Sequence, residues 1–462
     1  MELIRSKMTD LAAIFQNYTK LGNQNINLIG RVRTNRKGKK VSFMVVNDGT
    51  IFQDLQVVYK DELSNYENIT KARPASIVEI SGTLVLTPNK PQPFEIQATQ
   101  MEILDQAIEE YPLQNKEHTP EFLRELAHLR VRTKTFNAIY RVRSAASFAF
   151  HRFFNEQGFV YVQTPILTSN DAEGAGETFV VTTRNDDKYD QDFFGKKAVL
   201  TVSGQLHAEA YAQAFRKVYT FGPTFRAEES YTAKHAAEFW MIEPEVAFAD
   251  LQDNIDLIEA MLKSVTKEVW DVCHTELNFL AQHFDIDLAS RLQSLTTKNF
   301  ALLPYRDAIE RLKEAIADGH HFDDENIFFG MDLATEHERF ICEVLYNAPT
   351  FIVDYPKTIK SFYMKENPDL ETVAGVDLLV PGIGELVGGS EREGDYDKLV
   401  QRCLEQGIDP KGLDWYLGLR RFGYYKSAGF GLGFERYLMY LTGVTNIRDV
   451  LLYPRTPKNL LF

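Results

Sequence analysis

The chain has 462 residues, of which 51 are Lys or Arg and 65 are Asp or Glu, so its formal net charge is −14. An apolar fraction of 44% is typical of a globular protein with a sizeable core, and the length predicts two or three domains. No apolar run approaches the ~18 residues of a membrane span, the N-terminus lacks a secretory signal, and the three cysteines stand far apart. We therefore expect a cytoplasmic protein without a disulfide framework, in which any metal is held mainly by oxygen ligands.

Positive charge is concentrated near the N-terminus. The first 60 residues hold ten basic and four acidic residues, and the basic ones centre on residues 31–40. For nucleic-acid binding the distribution of charge matters more than its total, so an acidic protein can still carry a basic binding surface here. The alternative is a solvated loop.

The first hundred residues predict a small β-barrel. Stretches rich in β-branched residues and bounded by Gly, Pro, Asn or Asp are predicted as strands over 25–33, 41–46, 55–59, 76–86 and 94–103, with a helix over 61–72. Five strands with a helix after the third are typical of an OB-fold, which often binds single-stranded nucleic acid, although a different small barrel would fit almost as well. We assign 1–105 to this domain and the proline-interrupted residues 106–133 to a hinge.

Residues 134–462 predict one α+β domain. The apolar spacing predicts helices over 134–156 and 251–280, and short strands are expected over 217–225 and 239–247. Strands and helices do not alternate regularly, so we expect a mainly antiparallel sheet flanked by helices.

Three segments of this domain carry the chemical signals, while the Walker and Rossmann glycine loops are absent. Residues 158–167 are a helix stop, a strand and a proline that ends its pairing. Residues 224–245 are two strands joined by a polar loop. Its Arg226, Lys234 and His235 could bind phosphates and Phe239 could stack on a base, unless the segment is only a salt-bridged hairpin. Residues 429–436 alternate glycines before a helix, with Arg436 in its first turn, unless they are a plain glycine-rich turn.

In this order, the three segments resemble the signature motifs of class II aminoacyl-tRNA synthetases. The predicted OB-fold places the chain with the aspartyl, asparaginyl and lysyl subgroup, and residues 200–206, 222–228 and 385–392 are similar to asparaginyl-tRNA synthetases. The resemblance implies attachment of asparagine to its tRNA through an asparaginyl-adenylate, with ATP as substrate and Mg²⁺ as cofactor. It also implies a homodimer with the first segment at the subunit interface.

The resemblance further implies roles for the residues that match the family motifs. Those matched to ATP are Arg226, Glu228, His235, Phe239, Glu385 and Arg436, with Arg226 and Arg436 as the catalytic cations. Those matched to magnesium are Asp377 and Glu385, although their spacing is one residue longer than in aspartyl enzymes. Those matched to asparagine are Glu173, Ser203, Gln205, Glu243 and Arg392, and those matched to the anticodon are Arg36, Phe43 and Gln56. The alternatives are a plain turn for Glu173 and a place in the barrel core for Phe43.

The choice of asparagine over aspartate depends on one functional group. A carboxamide donates hydrogen bonds and a carboxylate only accepts them, so an acid in the pocket favours asparagine. Glu243 is the candidate, and Ala208 stands where aspartyl relatives have a lysine that pairs with the substrate carboxylate. The alternatives are a non-discriminating aspartyl-tRNA synthetase, an asparagine synthetase derived from a tRNA synthetase, which the barrel disfavours, and a catalytically inactive OB-fold protein that binds RNA.

Overall fold

The computed structural model describes residues 8–170 and 177–462. The chain divides into two compact units, Met1–Asn137 and Ala138–Phe462. The residues expected to form a hinge, 106–133, therefore belong to the first unit. In the described ranges no helix is both long and apolar enough to cross a membrane.

The first unit is built on a closed five-stranded barrel. Its helices and strands are α1 (Leu11–Leu21), β1 (Asn25–Arg36), β2 (Ser42–Asn47), β3 (Leu55–Tyr59), α2 (Tyr66–Ile69), β4 (Ile77–Leu86), β5 (Phe94–Asp105), α3 (Pro120–Glu125) and α4 (Ala127–Arg130). The strand order is β1-β2-β3-β5-β4, and only β3 and β5 pair in parallel. The predicted OB-fold barrel is confirmed, with a shorter helix after the third strand than expected.

The barrel core follows from the alternation of its strands. In β1 the buried residues Ile26, Leu28 and Val32 lie on the inner face, while their neighbours are exposed or half-buried. Helix α1, which the strand-based interpretation missed, is capped by Asp10 and packs Leu11 and Ile14 into the same core.

The second unit contains a large sheet and its flanking helices. The elements are α5 (Lys134–Glu156), β6 (Val160–Tyr161), β7 (Leu167–Thr168), β8 (Val180–Val181), β9 (Ala198–Leu200), α6 (Gln205–Phe215), β10 (Lys217–Phe225), β11 (Glu238–Ala247), α7 (Leu251–Phe284), α8 (Leu288–Thr297), β12 (Ala301–Pro304), α9 (Tyr305–Ala317), α10 (Thr335–Arg339), a π-helix (Phe340–Leu345), β13 (Thr350–Pro356), β14 (Thr372–Val380), β15 (Gly384–Glu391), α11 (Tyr396–Glu405), α12 (Asp414–Leu417), β16 (Ser427–Gly433) and α13 (Phe434–Thr442).

The large sheet is antiparallel in its centre. Its order is β12-β13-β14-β15-β16-β11-β10-β6, and only the outer pairs β12 with β13 and β10 with β6 are parallel. Strand β14 is buried along its whole length because elements cover both faces of the sheet. The predicted mainly antiparallel sheet is confirmed.

The glycine-rich third segment is a strand, β16, and not a turn. A Cβ on Gly429 would lie 2.4 Å from the carboxyl carbon of Glu245 on the neighbouring strand β11, and one on Gly431 would lie 2.6 Å from the Met241 methyl group. These glycines therefore make room for side chains of the adjacent strand. Gly431 also lines both cavities described below, and the close approach of its backbone to a ligand stays a prediction.

Candidate active site

Two adjoining cavities lie over the centre of the large sheet. The smaller one, about 150 Å³, is lined by all six residues that the sequence matched to ATP: Arg226, Glu228, His235, Phe239, Glu385 and Arg436. The larger one, about 640 Å³, is lined by Ser203, Gln205, Glu243, Asp377 and Arg392. Both cavities share Arg226, His235, Glu385 and Arg436, so the fold brings the two predicted residue sets together.

The hairpin β10–β11 positions the first cation. Phe225 pairs with Glu238 at the end of the ladder, and the Arg226 N–H donates to the Ala237 carbonyl (3.0 Å), which closes the mouth of the connecting loop. The Arg226 guanidinium carbon lies 5.5 Å from the centre of the Phe239 ring. A cation and an aromatic face therefore stand side by side at the wall of the smaller cavity, as a nucleotide with phosphates and a base requires.

Helix α13 positions the second cation. Arg436 lies in its first turn, and its Nη1 is 3.5 Å from Glu385 Oε2. The preceding Glu435 is buried, forms an ion pair with Arg143 (2.8 Å) and accepts the Trp240 N–H (2.9 Å). Burial raises the pKa of Glu435 and the Arg143 charge opposes the rise. Glu435 therefore fixes the start of the helix, while Arg436 faces the cavity.

The pairing of β14 with β15 places Asp377 and Glu385 on one face of the sheet. Glu385 pairs with Leu379 of β14, and Asp377 pairs with Gly388. Opposed residues share a face of the sheet, and Leu379 shares its face with Asp377 two residues away. A β-bulge at Leu386 lies between these two pairs but after Glu385 in the chain, so it does not add to the spacing between the two carboxylates. The register of the two strands therefore brings the carboxylates together.

The two carboxylates converge across Gly388. A Cβ on Gly388 would lie 3.2 Å from Glu385 Oε1 and 3.3 Å from Asp377 Oδ1, so both oxygens are directed to the same place. The other Asp377 oxygen accepts from Lys360 Nζ (2.5 Å). Burial raises the pKa of Asp377, and the charge of Lys360 opposes this rise. Burial lowers the pKa of Lys360, but the charges of Asp377 and Glu385 outweigh burial, so the pKa of Lys360 is raised. Two hard oxygen donors beside a phosphate-sized cavity fit Mg²⁺.

At the far end of the larger cavity Glu243 is held by neutral donors. Its Oε1 accepts from the Ser203 hydroxyl, and its Oε2 accepts from the Gly204 N–H (3.0 Å) and the Thr220 hydroxyl (2.9 Å). None of these donors carries a charge. The negative charge of Glu243 therefore remains uncompensated by its direct partners.

Arg392, in contrast, is fully compensated. Its Nε donates to Glu245 Oε2 (3.2 Å), its Nη2 donates to Glu245 Oε1, and its Nη1 donates to the Ser390 hydroxyl (2.7 Å). Both side chains are buried, and the paired carboxylate raises the pKa of Arg392 against the effect of burial. The pair is neutral, so this end of the cavity has the net negative charge of Glu243.

Gln205 supplies an unsatisfied polar group to the same cavity. Its backbone N–H donates to the Ser203 hydroxyl (3.1 Å), but its buried side-chain amide nitrogen has no hydrogen-bond partner within residues 8–170 and 177–462. A buried donor without a partner is costly unless a ligand completes it. Glu173, expected to act beside it, lies outside the described residues.

The residues matched to an anticodon lie on the barrel. Phe43 is half-buried, lies outside the barrel core and lines a cavity of about 610 Å³. The Arg36 guanidinium carbon is 5.6 Å from the centre of its ring. Gln56 donates to Glu95 Oε2 (3.2 Å), which also accepts from Lys90 (3.1 Å). An accessible aromatic face with polar groups beside it suits an unstacked base.

Family models match both units. Residues 119–457 match the tRNA synthetases class II (D, K and N), and residues 26–104 match the OB-fold nucleic acid binding domain. The asparagine–tRNA ligase of Mycoplasma capricolum is 62% identical over 98% of this chain and 100% of its own length, and that of Alkaliphilus metalliredigens is 50% identical over 99% and 100%. The chain belongs to the asparaginyl-tRNA synthetase family.

A solved member of the asparaginyl-tRNA synthetase family has the same architecture. The Pyrococcus horikoshii asparaginyl-tRNA synthetase complexed with asparaginyl-adenylate superposes with a TM-score of 0.88, at 32% identity over 99% of this chain and 100% of that one. The resemblance of the motifs to this family is thus confirmed over the full length of the chain.

Sequence reasoning missed several residues of this asparaginyl-tRNA synthetase site. Lys360 and Glu338 come from segments without a recognisable motif, and both line the larger cavity. Glu245 could have been found, because it follows Glu243 by two residues on β11 and so shares its face. Burial raises the pKa of Glu338 to about 7, and the charge of Glu385 adds to the rise.

Proposed function

We propose that this chain attaches asparagine to its tRNA by way of an asparaginyl-adenylate, at the two cavities over the large sheet. One observation carries the proposal: the two cavities share Arg226 and Arg436, which can bind phosphates, and the larger cavity extends from them to the negatively charged Glu243. The first part suits ATP and the second suits a neutral polar side chain. The identity of the relatives supports the same activity.

The first step needs charge neutralisation and alignment, not a general base. The asparagine carboxylate is already ionised at neutral pH and attacks the α-phosphorus, and pyrophosphate leaves. Arg226 stands where it can bind the α-phosphate, and Arg436 and His235 can bind the departing phosphates. Phe239 offers its face to the adenine, and Glu228 at the loop can accept from its amino group. Preorganised positive charge then supplies most of the rate.

Asp377 and Glu385 are the residues that would hold Mg²⁺. Within the described ranges no three His, Cys, Asp or Glu side chains stand close enough to enclose an ion, so phosphate oxygens and water would complete the coordination. Bound there, Mg²⁺ would neutralise phosphate oxygens of ATP. Lys360 keeps Asp377 oriented by binding its second oxygen (2.5 Å).

The pocket electrostatics favour asparagine over aspartate. The amide nitrogen of asparagine can donate to Glu243, and its oxygen can accept from Arg392. An aspartate carboxylate would meet Glu243 at close range, and Arg392 would attract it weakly because Glu245 already neutralises that charge. Ser203 and Gln205 border the same end of the cavity, and Glu173 remains a proposed partner of the substrate amino group. A non-discriminating aspartyl enzyme is not favoured.

In the second step the terminal hydroxyl of the tRNA attacks the adenylate carbonyl and AMP leaves. The adenylate phosphate can accept the proton, so no side chain is assigned as base. The barrel is proposed to bind the anticodon, with Phe43 stacking on a base, Gln56 reading its edge and Arg36 contacting the backbone. We place the activity in the cytoplasm, where translation uses charged tRNA.

We propose a homodimer that uses the first motif. Large apolar side chains are exposed there and on the preceding helix α5: Phe148 (66% exposed), Tyr161, Ile166 and Leu167. Exposed large apolar side chains in the first motif and on the helix before it suggest a protein interface, and a second copy is the expected partner. Light scattering of the wild type should give twice the mass of the chain, and Phe148→Lys should lower the measured mass toward that of a single chain.

The decisive experiment is tRNA charging by purified protein with ATP and Mg²⁺. Labelled asparagine and labelled aspartate are compared on a transcript of asparagine tRNA. Charging with asparagine alone is expected. Charging with aspartate would refute the assignment of the pocket, and no charging with either, despite a folded protein, would refute the function.

A further inference from the structure

We propose that Glu338 is a further residue of the metal site, with its carboxylate accepting a hydrogen bond from a water bound to the cation that Asp377 and Glu385 hold. The proposal rests on the proposed function, because it requires that these two carboxylates bind Mg²⁺. Nothing in the three signature motifs includes this residue, which lies on the short helix α10.

The position of Glu338 against the metal-site strand is closely defined. Its Oε2 accepts the backbone N–H of Glu385 (3.1 Å). A Cβ on Gly384 would lie 2.4 Å from the same oxygen, and Gly384 has φ +87°, so both the space and the backbone require glycine there. The Glu338 carboxylate is therefore packed directly against the start of β15.

The second oxygen of Glu338 is available to a ligand. Glu338 lines the larger cavity together with Asp377 and Glu385, and among the described residues its Oε1 has no hydrogen-bond or ion-pair partner. Three carboxylates thus border one cavity, where Lys360 pairs with Asp377 and Arg436 with Glu385. Glu338 adds a third carboxyl group, and no described side chain of this cavity forms an ion pair with it.

The chemistry of magnesium accounts for such a residue. Mg²⁺ gives up water reluctantly and is usually bound by one or two carboxylates, phosphates and several waters. The described His, Cys, Asp and Glu side chains do not form a direct three-residue set, so Glu338 is placed to act through water. Partners of metal-bound groups contribute about 10- to 100-fold to metal affinity.

The competing explanation is that Glu338 only clamps the β14–β15 turn. Glu343 provides the matched control, because it also accepts a backbone N–H of this turn, that of Gly382 (2.7 Å), but it is not among the residues that line the cavity. Glutamine keeps the acceptor oxygen in both positions and removes the charge. Glu343 also forms an ion pair with Arg339 (2.8 Å), which Glu343→Gln loses in addition. A pure clamp therefore predicts that Glu343→Gln has at least as large an effect as Glu338→Gln, whereas a metal-site residue predicts a larger effect of Glu338→Gln on metal binding.

The experiment measures Mn²⁺ binding to the full chain in the presence of a non-hydrolysable ATP analogue. Electron paramagnetic resonance of the free Mn²⁺ is the readout. Glu338→Gln should weaken Mn²⁺ binding about 10-fold, as the loss of an outer partner of a metal does. Glu343→Gln should weaken it less than about 2-fold. The Mg²⁺ midpoint of ATP–pyrophosphate exchange should rise in parallel, while the KM for asparagine stays unchanged. Equal Mn²⁺ affinities in the two variants would overturn the inference.

A second variant covers the case in which Glu338→Gln does not fold. Glu338→Asp keeps the carboxylate but shortens its reach to the Glu385 N–H. Its Mn²⁺ affinity should therefore be reduced less, relative to the wild type, than the Mn²⁺ affinity of Glu338→Ala. If both lose affinity equally, the charge has no role and the inference fails. If instead the wild type shows no metal-dependent ATP–pyrophosphate exchange, the proposed function itself fails.

Discussion

Glu243→Gln changes the charge of the asparagine end of the cavity while keeping its shape. In the wild type the Arg392–Glu245 pair is neutral and Glu243 is held only by neutral donors, so the pocket has one net negative charge. The variant makes the pocket neutral. Aspartate should then become an acceptable substrate, because the repulsive group is gone and Arg392 remains.

The magnitude follows from the partners of the carboxylate. Two unit charges about 4 Å apart repel by about 4 kcal/mol at an effective dielectric constant near 20, which is nearly three powers of ten in binding. Relaxation and water reduce this figure, so we expect the ratio of kcat/KM for aspartate over asparagine to rise about 100-fold. Folding should be little affected, by about 1 kcal/mol, because the glutamine oxygen can accept from Gly204 and Thr220 while its amide donates to Ser203.

ATP–pyrophosphate exchange with each amino acid measures the ratio, and thermal unfolding measures the stability. Glu245→Gln is the informative comparison, because it leaves buried Arg392 without its counter-charge and should destabilise the fold by about 3 to 5 kcal/mol. An unchanged aspartate-to-asparagine ratio in folded Glu243→Gln would refute the role of Glu243 in discrimination.

Three further outcomes are expected. Gly429→Ala should lower the free energy of unfolding in urea by about 1 to 3 kcal/mol, since its Cβ would meet a carboxyl carbon at 2.4 Å, whereas Gly222→Ala, with nothing within 4 Å, should not. Phe43→Ala should raise the KM for tRNA about tenfold and spare ATP–pyrophosphate exchange, and equal losses in both would contradict a stacking role. Burial and the charge of Arg436 lower the pKa of His235, so the ring is neutral at pH 7 and should take up a proton beside ATP phosphates. Calorimetry should then show ATP affinity rising as pH falls from 7 toward 6, more in the wild type than in His235→Gln.

The fold was largely predictable because its signals are local. Strand β10 and helix α5 have the predicted bounds, since β-branched runs and helical apolar spacing act over neighbouring residues. Helix α1 was missed because its N-cap, Asp10, is a single residue before a short amphipathic stretch. The glycines of β16 suggested a turn, because the Glu245 side chain that requires them belongs to a strand far away in sequence.

The candidate site was predictable where its residues lie in motifs. Arg226, Phe239 and Arg436 stand at fixed positions in motif segments, and the structure gathers them around one cavity. Lys360 and Glu338 could not be found in this way, because only the packing of distant segments brings them beside Asp377 and Glu385. Their roles follow from contacts, not from spacing.

The hairpin of β14 and β15 shows why spacing alone misleads. Faces alternate along one strand, but Asp377 and Glu385 lie on two strands joined by a turn, so their common face depends on which residues pair across the hairpin. Glu385 pairs with Leu379, which shares its face with Asp377, and the missing side chain of Gly388 leaves room for both carboxylates. The metal site is thus defined by the register of β14 and β15 and not by the number of residues between its carboxylates.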